Sequence, residues 1–177
     1  MTTNGSASDA VTKQASTGQE RRGRIEETVS TLVQERQMVL VTWGKLAGLR
    51  SFEDIDFDDE DEVSQEKKVR AAEMRTFLQM LMDYTALGHF EIYQRIIEGK
   101  ERRQAVREVA DRVYAGIADT TEAIVEFNDK YDRFAATDEE LATLEADISE
   151  LGEALANRSE LEDEILAALQ KKKAPAA

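Results

Sequence analysis

A chain of 177 residues is long enough for one domain with a substantial hydrophobic core. Its net charge of −14 and its pI near 4.6 argue against direct binding to nucleic acid, whose phosphates require a basic surface. The absence of cysteine excludes a disulfide framework, and no apolar run approaches the ~18 residues of a membrane helix. We therefore expect a cytoplasmic protein that does not bind membranes.

The N-terminal segment, residues 1–16, is polar and rich in Ser and Thr, and we expect it to form a disordered tail. It has neither the basic start nor the apolar stretch of a signal peptide. A helical domain is predicted over residues 17–171, and residues 172–177 should fray. The only proline lies in that last segment, and period-two alternation of β-branched residues is absent, so helices are favoured over strands.

The first helix is predicted from about Gln19 to Gly48, where the glycine favours a stop. Trp43 continues its apolar stripe, so a place in the core or at its rim is favoured over contact with a partner. The connection at 53–62 is acidic at eight of its ten positions, and mutual repulsion should keep it solvated. The inward stripe of this helix contains Ile25, Val29, Leu32, Arg36, Val39 or Leu40, Trp43 and Ala47.

The second helix is predicted over about 62–87, and Gly88 should break it. A short extra helix is expected at 89–98, closed by Gly99. The clearest inner face of the second helix consists of Phe77, Leu78, Leu81, Tyr84 and Thr85.

The third helix has the most regular pattern, with nine positions that alternate steps of four and three. They form one seam about 42 Å long at 1.5 Å per residue. Thr137 and Glu140 resemble a capping box that opens a fourth helix. The nine seam positions are Val106, Ala110, Val113, Ile117, Thr120, Ile124, Phe127, Tyr131 and Phe134. The inner positions of the fourth helix are Leu141, Leu144, Ile148, Leu151, Leu155, Leu161, Ile165 and Leu169.

Four long amphipathic helices with mostly short connections predict an all-α fold, an antiparallel four-helix bundle with one short extra helix after the second long helix. A single extended coiled-coil dimer is the alternative. The glycines at 48, 88 and 99 disfavour it, because they interrupt the helices.

Three charged residues lie on or beside apolar faces. Arg36 and Arg158 are in phase with apolar stripes, and Asp83 lies beside the inner face of the second helix. Because a lone buried charge costs several kcal/mol, we predict that Asp83 and at least one arginine form a polar cluster inside one end of the bundle. Rotation of the helices, which would let the long arginine side chains reach solvent, is the open alternative.

The residues give no support for catalysis or metal binding. His89 is the only histidine, so the two Glu-x-x-His elements of a di-iron bundle and zinc sites built from Cys and His are excluded. Neither a phosphate-binding glycine loop nor a serine nucleophile elbow is present. We therefore predict no enzymatic activity and no cofactor. For His89, contact with a partner and a structural role at the helix joint both stay open.

Three segments, in matching order, carry a resemblance to a known family and together cover roughly residues 30–170. Residues 83–96, DYTALGHFEIYQRI, resemble the signature segment of the Rsd/AlgQ family, regulators of sigma D that act as anti-sigma factors. Residues 39–48 are similar to its first-helix pattern, an apolar and aromatic run that ends in Leu-x-Gly. Residues 152–163 are similar to its last-helix pattern, Gly-Glu-Ala-Leu-x-x-Arg-x-x-Leu-Glu-Asp.

The resemblance implies a helical bundle that binds region 4 of the primary sigma factor, a basic helix-turn-helix module that reads the promoter −35 element and docks on core polymerase. The family's sigma-contact positions fall on Asp83, Ala86 and Phe90, and Ala86 departs from the serine of the family pattern. Tyr84, His89 and Tyr93, at the same joint, complete the predicted sigma-binding set. An acidic helical scaffold or dimerisation protein that binds another basic protein is the alternative, and weak self-association is left open.

Overall fold

The computed structural model describes residues 6–48 and 60–171. A π-helical stretch, Gly88–Tyr93, which we call the π segment, joins the second helix directly to the third. The helices are α1, Ser6–Ala47; α2, Glu60–Leu87; α3, Gln94–Ile97; α4, Gln104–Tyr131; and α5, Asp138–Gln170. The all-α prediction is confirmed for the described residues. Within them, no helix combines the length and apolar content needed to span a membrane.

Helix α1 begins earlier than predicted. It starts at Ser6, whereas the sequence predicted a start near Gln19; the division into a tail and a domain at residue 17 stays a prediction. The stretch contains no proline, and extending an existing helix costs less than nucleating one; the buried residues Val29 and Leu32 anchor that helix further along. The helix ends at Ala47, just before the predicted stop at Gly48. Residues 1–5, 53–59 and 172–177 of the predicted tails and acidic connection lie outside the described residues.

Polar interactions of Arg36 and Trp43 connect α1 to helix α5. The Arg36 guanidinium donates to Asp163, and the Trp43 indole donates to the carbonyl of Ile148 at 2.9 Å. The Trp43 ring is half-buried and lies where a Cβ at Gly152 would overlap it. The rim position predicted for Trp43 is therefore confirmed, and Gly152 is explained by close approach.

Helix α5 also packs along α4. Arg112 pairs with Glu164 near the start of α4, and Lys130 pairs with Asp147 near its end. The contacts therefore run in opposite directions along these two helices. The arrangement of all four long helices as one antiparallel bundle stays a prediction.

The predicted seam of the third helix, now α4 and the turn after it, is confirmed. All nine of its side chains are buried. Phe127 meets Phe77 of α2 edge to face, with ring centroids 6.3 Å apart. The predicted capping box is also present: the Glu140 backbone N–H donates to the Thr137 hydroxyl, and the Thr137 backbone N–H donates to the Glu140 carboxylate. These two patterns account for the buried face of α4 and for the start of α5, and Ala136, in the connection between them, adopts a positive φ of 54°.

The helix does not break at Gly88, which corrects the prediction. The backbone stays helical through the π segment into α3, and the turn at Gly99 follows. Gly88 is buried, and a Cβ there would lie 3.2 Å from Cε2 of Tyr93. Tyr93 is five residues ahead, which is one turn of a π-helix. The glycine is therefore explained by the approach of this ring.

Candidate protein-binding surface

Four of the predicted sigma-binding residues lie on the surface and form what we call the α2 patch: Asp83, Ala86, His89 and Phe90. Asp83 and Ala86 lie one turn apart on α2, and Phe90 follows in the π segment; all three side chains are exposed. Phe90 is 59% exposed, more than any other large apolar side chain in the described part of the chain. The His89 and Phe90 rings meet at right angles, with centroids 4.9 Å apart. The patch therefore presents an aromatic ridge beside a carboxylate.

Tyr84 and Tyr93 lie in the core, which corrects their assignment to the partner-contacting set. They are 1% and 4% exposed, respectively. The Tyr84 hydroxyl donates to Oε2 of Glu162 at 2.7 Å, and the Tyr93 hydroxyl donates to Oε1 of the same carboxylate at 2.8 Å. Both tyrosines are therefore occupied inside the protein and present no polar group to a partner.

Glu162 is the centre of a buried polar network, the Glu162 cluster, which contains Arg36, Tyr84, Tyr93, Arg158 and Glu162. Arg158 and Glu162 are fully buried and joined by a bond of 2.9 Å from Nε to Oε1. Nη1 of Arg36 lies 3.6 Å from the other carboxylate oxygen. A buried carboxylate is stable only when its oxygens are paired, and here each oxygen accepts from a tyrosine and faces a guanidinium.

The polar cluster predicted from the sequence is therefore present but uses a different acid. Asp83 is exposed, so it does not pair with Arg36 or Arg158. The missed acid, Glu162, could have been found from spacing: the three–four alternation along α5 passes through Leu155, Arg158 and Glu162 to Ile165 rather than through Leu161. The predicted inner positions of the fourth helix include Leu161 and omit Glu162.

The pKa values of Tyr84, Tyr93 and Arg158 in the Glu162 cluster are all raised. Burial, followed by the charge of Glu162, raises the pKa of Tyr84 and that of Tyr93 far above the ordinary tyrosine value. Burial, the largest single effect, lowers the pKa of Arg158, but the charge of Glu162 together with the contributions of Tyr93 and Tyr84 outweighs it, and the net direction is upward. The tyrosines therefore act as fixed donors and Arg158 as a fixed cation.

Arg158 also connects the cluster to the π segment. Its guanidinium carbon lies 5.4 Å from the Tyr84 ring centroid and 5.9 Å from that of Tyr93. Nη1 donates to the Thr121 hydroxyl at 2.8 Å, and Nη2 is buried without a hydrogen-bond partner among the described residues. A Cβ at Gly88 would lie 3.5 Å from Nη2. The contact of the Arg158 guanidinium with the two tyrosine rings compensates part of the cost of burying Nη2.

The amino-acid sequence matches a known protein family. Residues 11–170 match the family described as regulator of RNA polymerase sigma(70) subunit, Rsd/AlgQ. This range contains both the α2 patch and the Glu162 cluster.

Individual relatives give the same result. The chain is 25% identical over 148 residues to a regulator of sigma D from Yersinia enterocolitica, a match that covers 83% of each chain. It is 29% identical over 150 residues to a regulator of sigma D from Enterobacter sp. strain 638, covering 84% of this chain and 83% of the relative. No solved structure matches. The similarity therefore extends over most of the length of both proteins.

Proposed function

The chain belongs to the Rsd/AlgQ family of regulators of the RNA polymerase sigma(70) subunit, and from this premise we propose that it is an anti-sigma factor that binds region 4 of the primary sigma factor. Region 4 reads the −35 element and docks on core polymerase, so its capture reduces the use of this sigma factor in transcription. The protein would meet its partner in the cytoplasm, where holoenzyme forms.

The observation that carries this proposal is the exposure of Phe90. An aromatic ring that is 59% exposed on a helix gains little from its own fold, whereas burial of the ring in a partner pocket gives the interaction expected of a hot spot. Perpendicular contact with His89 limits the orientations open to the ring. Phe90 is therefore the proposed anchor of the complex.

The charge of the molecule supports a basic partner. A net charge of −14 accelerates encounter with a basic helix-turn-helix module and repels acidic proteins. Within the α2 patch, the exposed Asp83 carboxylate can accept charge-assisted hydrogen bonds from an arginine of the partner. Because Ala86 has no hydroxyl, it supplies only apolar contact.

Purified sigma region 4 tests the proposal by titration calorimetry. We expect Phe90→Ala to weaken binding by on the order of 2 kcal/mol, about a 30-fold rise in Kd. Tyr114→Ala is the matched control, because Tyr114 is an exposed aromatic residue on α4; it should change the binding free energy by less than ~0.5 kcal/mol. Both variants should unfold at nearly the wild-type temperature, since neither ring is buried.

Two results would reject the proposal. Absence of a complex between the wild-type protein and region 4 at micromolar concentration in low salt would exclude the sigma-binding function. Equal losses for Phe90→Ala and Tyr114→Ala would show that binding does not use the α2 patch. Transcription from a promoter with a −35 element should decrease when the wild-type protein is added.

One observation favours the second candidate, a helical scaffold or dimerisation protein. Met38 and Val41 on α1 are 45% and 52% exposed, and residues 37–44 carry no charge. An uncharged, partly apolar face suits contact with another protein surface. Sedimentation velocity over a range of concentrations tests it: a stable dimer that Val41→Lys dissociates would support this candidate, and a monomer throughout would exclude dimerisation.

A further inference from the structure

The two buried tyrosines are placed together by the π segment. Tyr84 and Tyr93 are nine residues apart. In a continuous α-helix this separation is two and a half turns, which puts the side chains about 180° apart. Yet both hydroxyls reach the Glu162 carboxylate. The wider turns of the π segment delay the rotation by roughly one residue, or about 100°, and so bring Tyr93 to the side of Tyr84.

The same backbone stretch carries residues of both the core and the surface. Gly88, Ile92 and Tyr93 of the π segment are buried, whereas His89 and Phe90 are exposed. A π turn is less favourable than an α turn and occurs mostly where tertiary contacts demand it. Here the contacts are the Tyr93–Glu162 hydrogen bond and the packing of the Tyr93 ring on Gly88.

We propose that Tyr93 is a positioning residue for partner binding: its hydrogen bond to Glu162 holds the π segment in register and thereby sets the direction in which Phe90 leaves the surface. The binding part of this inference rests on the proposed function. If the segment relaxed to an α-helix, the residues after it would turn by about 100° relative to α2. Phe90, inside the segment, would turn through part of this angle, so its ring would leave the surface in a different direction relative to Asp83 and Ala86.

The chain supplies a matched control. Tyr84 donates to the same carboxylate at almost the same distance and is equally buried, but it lies in the regular part of α2. Tyr93→Phe and Tyr84→Phe each remove one hydroxyl and keep the ring. Both should therefore lower the thermal unfolding midpoint to a similar extent, while only Tyr93→Phe releases the π segment.

Hydrogen exchange of the backbone amides at 89–94 gives a measurement that needs no partner. We expect Tyr93→Phe to accelerate exchange there by about tenfold, the factor for one hydrogen bond to a charged group, and Tyr84→Phe to leave it nearly unchanged. In titrations with sigma region 4, Tyr93→Phe should raise Kd by about five- to tenfold, and Tyr84→Phe by less than about twofold. Gly88→Ala, which presses on the Tyr93 ring from the other side, should follow the Tyr93→Phe pattern.

The possible outcomes separate the two proposals. Equal exchange at 89–94 in the two tyrosine variants would overturn the positioning role. Faster exchange in Tyr93→Phe with unchanged binding would overturn the link from the π segment to Phe90. If wild-type protein does not bind region 4, the proposed function fails, while the exchange experiment still decides whether Tyr93 holds the segment.

Discussion

The α4 seam and the Glu162 cluster stabilise the same core in different ways. The seam is formed by nine buried side chains in regular three–four alternation, and eight of them are on α4 itself. Its stabilisation comes from apolar burial, which is non-directional and tolerates small rearrangements. The cluster joins Arg36 of α1 and Tyr84 of α2 to Arg158 and Glu162 of α5 through ion pairs and directed hydrogen bonds.

This difference shows that the two regions should respond differently to substitution. An apolar side chain that is shortened loses contacts in proportion to the atoms removed. A buried charge that loses its partner keeps its full desolvation cost, because nothing else in the core replaces the missing group. For each atom removed, a substitution in the cluster should therefore lower the free energy of unfolding more than a substitution in the seam.

The largest effect is expected for Glu162→Ala. It leaves the fully buried Arg158 without its carboxylate, and we expect a loss of about 3–5 kcal/mol in the free energy of unfolding. Urea denaturation measures it, and Glu160→Ala, on the exposed face of α5, is the control with an expected change within ~0.5 kcal/mol. A loss below about 1 kcal/mol for Glu162→Ala would show that the cluster is not more sensitive than the seam.

Ile124→Ala should have the next largest effect. Ile124 is completely buried in the seam, and removal of its outer carbons should cost about 3 kcal/mol through lost burial and a residual cavity. Val125→Ala, at the neighbouring partly exposed position, should cost less than about 1 kcal/mol. Chemical denaturation of both variants measures the difference, and similar losses for the two would contradict the assigned phase of the seam.

Alkaline pH should weaken the cluster. The pKa values of Tyr84 and Tyr93 are raised by burial and by the charge of Glu162. Their contribution is therefore fully present below the unfolded value, about pH 10, and is lost as the pH rises from there toward the folded pKa. We expect the free energy of unfolding to fall by about 1–2 kcal/mol near pH 10.5.

In the double variant Tyr84→Phe/Tyr93→Phe, the free energy of unfolding should change less with pH over the same range. Tyr114→Phe, at an exposed position, should show the same pH dependence as the wild-type protein. At the end of the seam, burial and the hydrogen bond to Asp147 raise the pKa of Tyr131 to about 12, so a smaller effect of the same sign remains in the double variant. Identical pH dependence in wild-type and double-variant proteins would contradict the role of the cluster tyrosines.

The smallest loss of stability is expected for substitutions of Thr120 and Thr121, which lie between the seam and the cluster. Nη1 of Arg158 donates to Thr121 at 2.8 Å but lies 3.4 Å from the Thr120 hydroxyl. Thr121→Val should cost about 1 kcal/mol, and Thr120→Val should cost less than ~0.5 kcal/mol. Thermal unfolding of the two variants compares them, and the reverse order would show that the shared bond goes mainly to Thr120.

Local patterns predicted the regular parts of the molecule well. The spacing from Val106 to Phe134 identified the seam, and Thr137 with Glu140 identified the start of α5. For Phe90, only the family resemblance pointed to a surface position, and the structure shows that its side chain is exposed. The irregular part was predicted poorly: Gly88 was interpreted as a break, and Asp83 was chosen as the acid of the polar cluster.

Composition and periodicity by themselves determined that this chain is helical and which faces of α4 and α5 are apolar, because these properties depend on residues three and four positions apart. Only the tertiary structure decided which polar groups point inward. The phase of Tyr93 relative to Tyr84 depends on a π segment, and Tyr93 contacts Glu162 and Arg158, which are more than sixty residues further along the chain. A local pattern does not contain that information, because the register of one helix is set by a side chain on another.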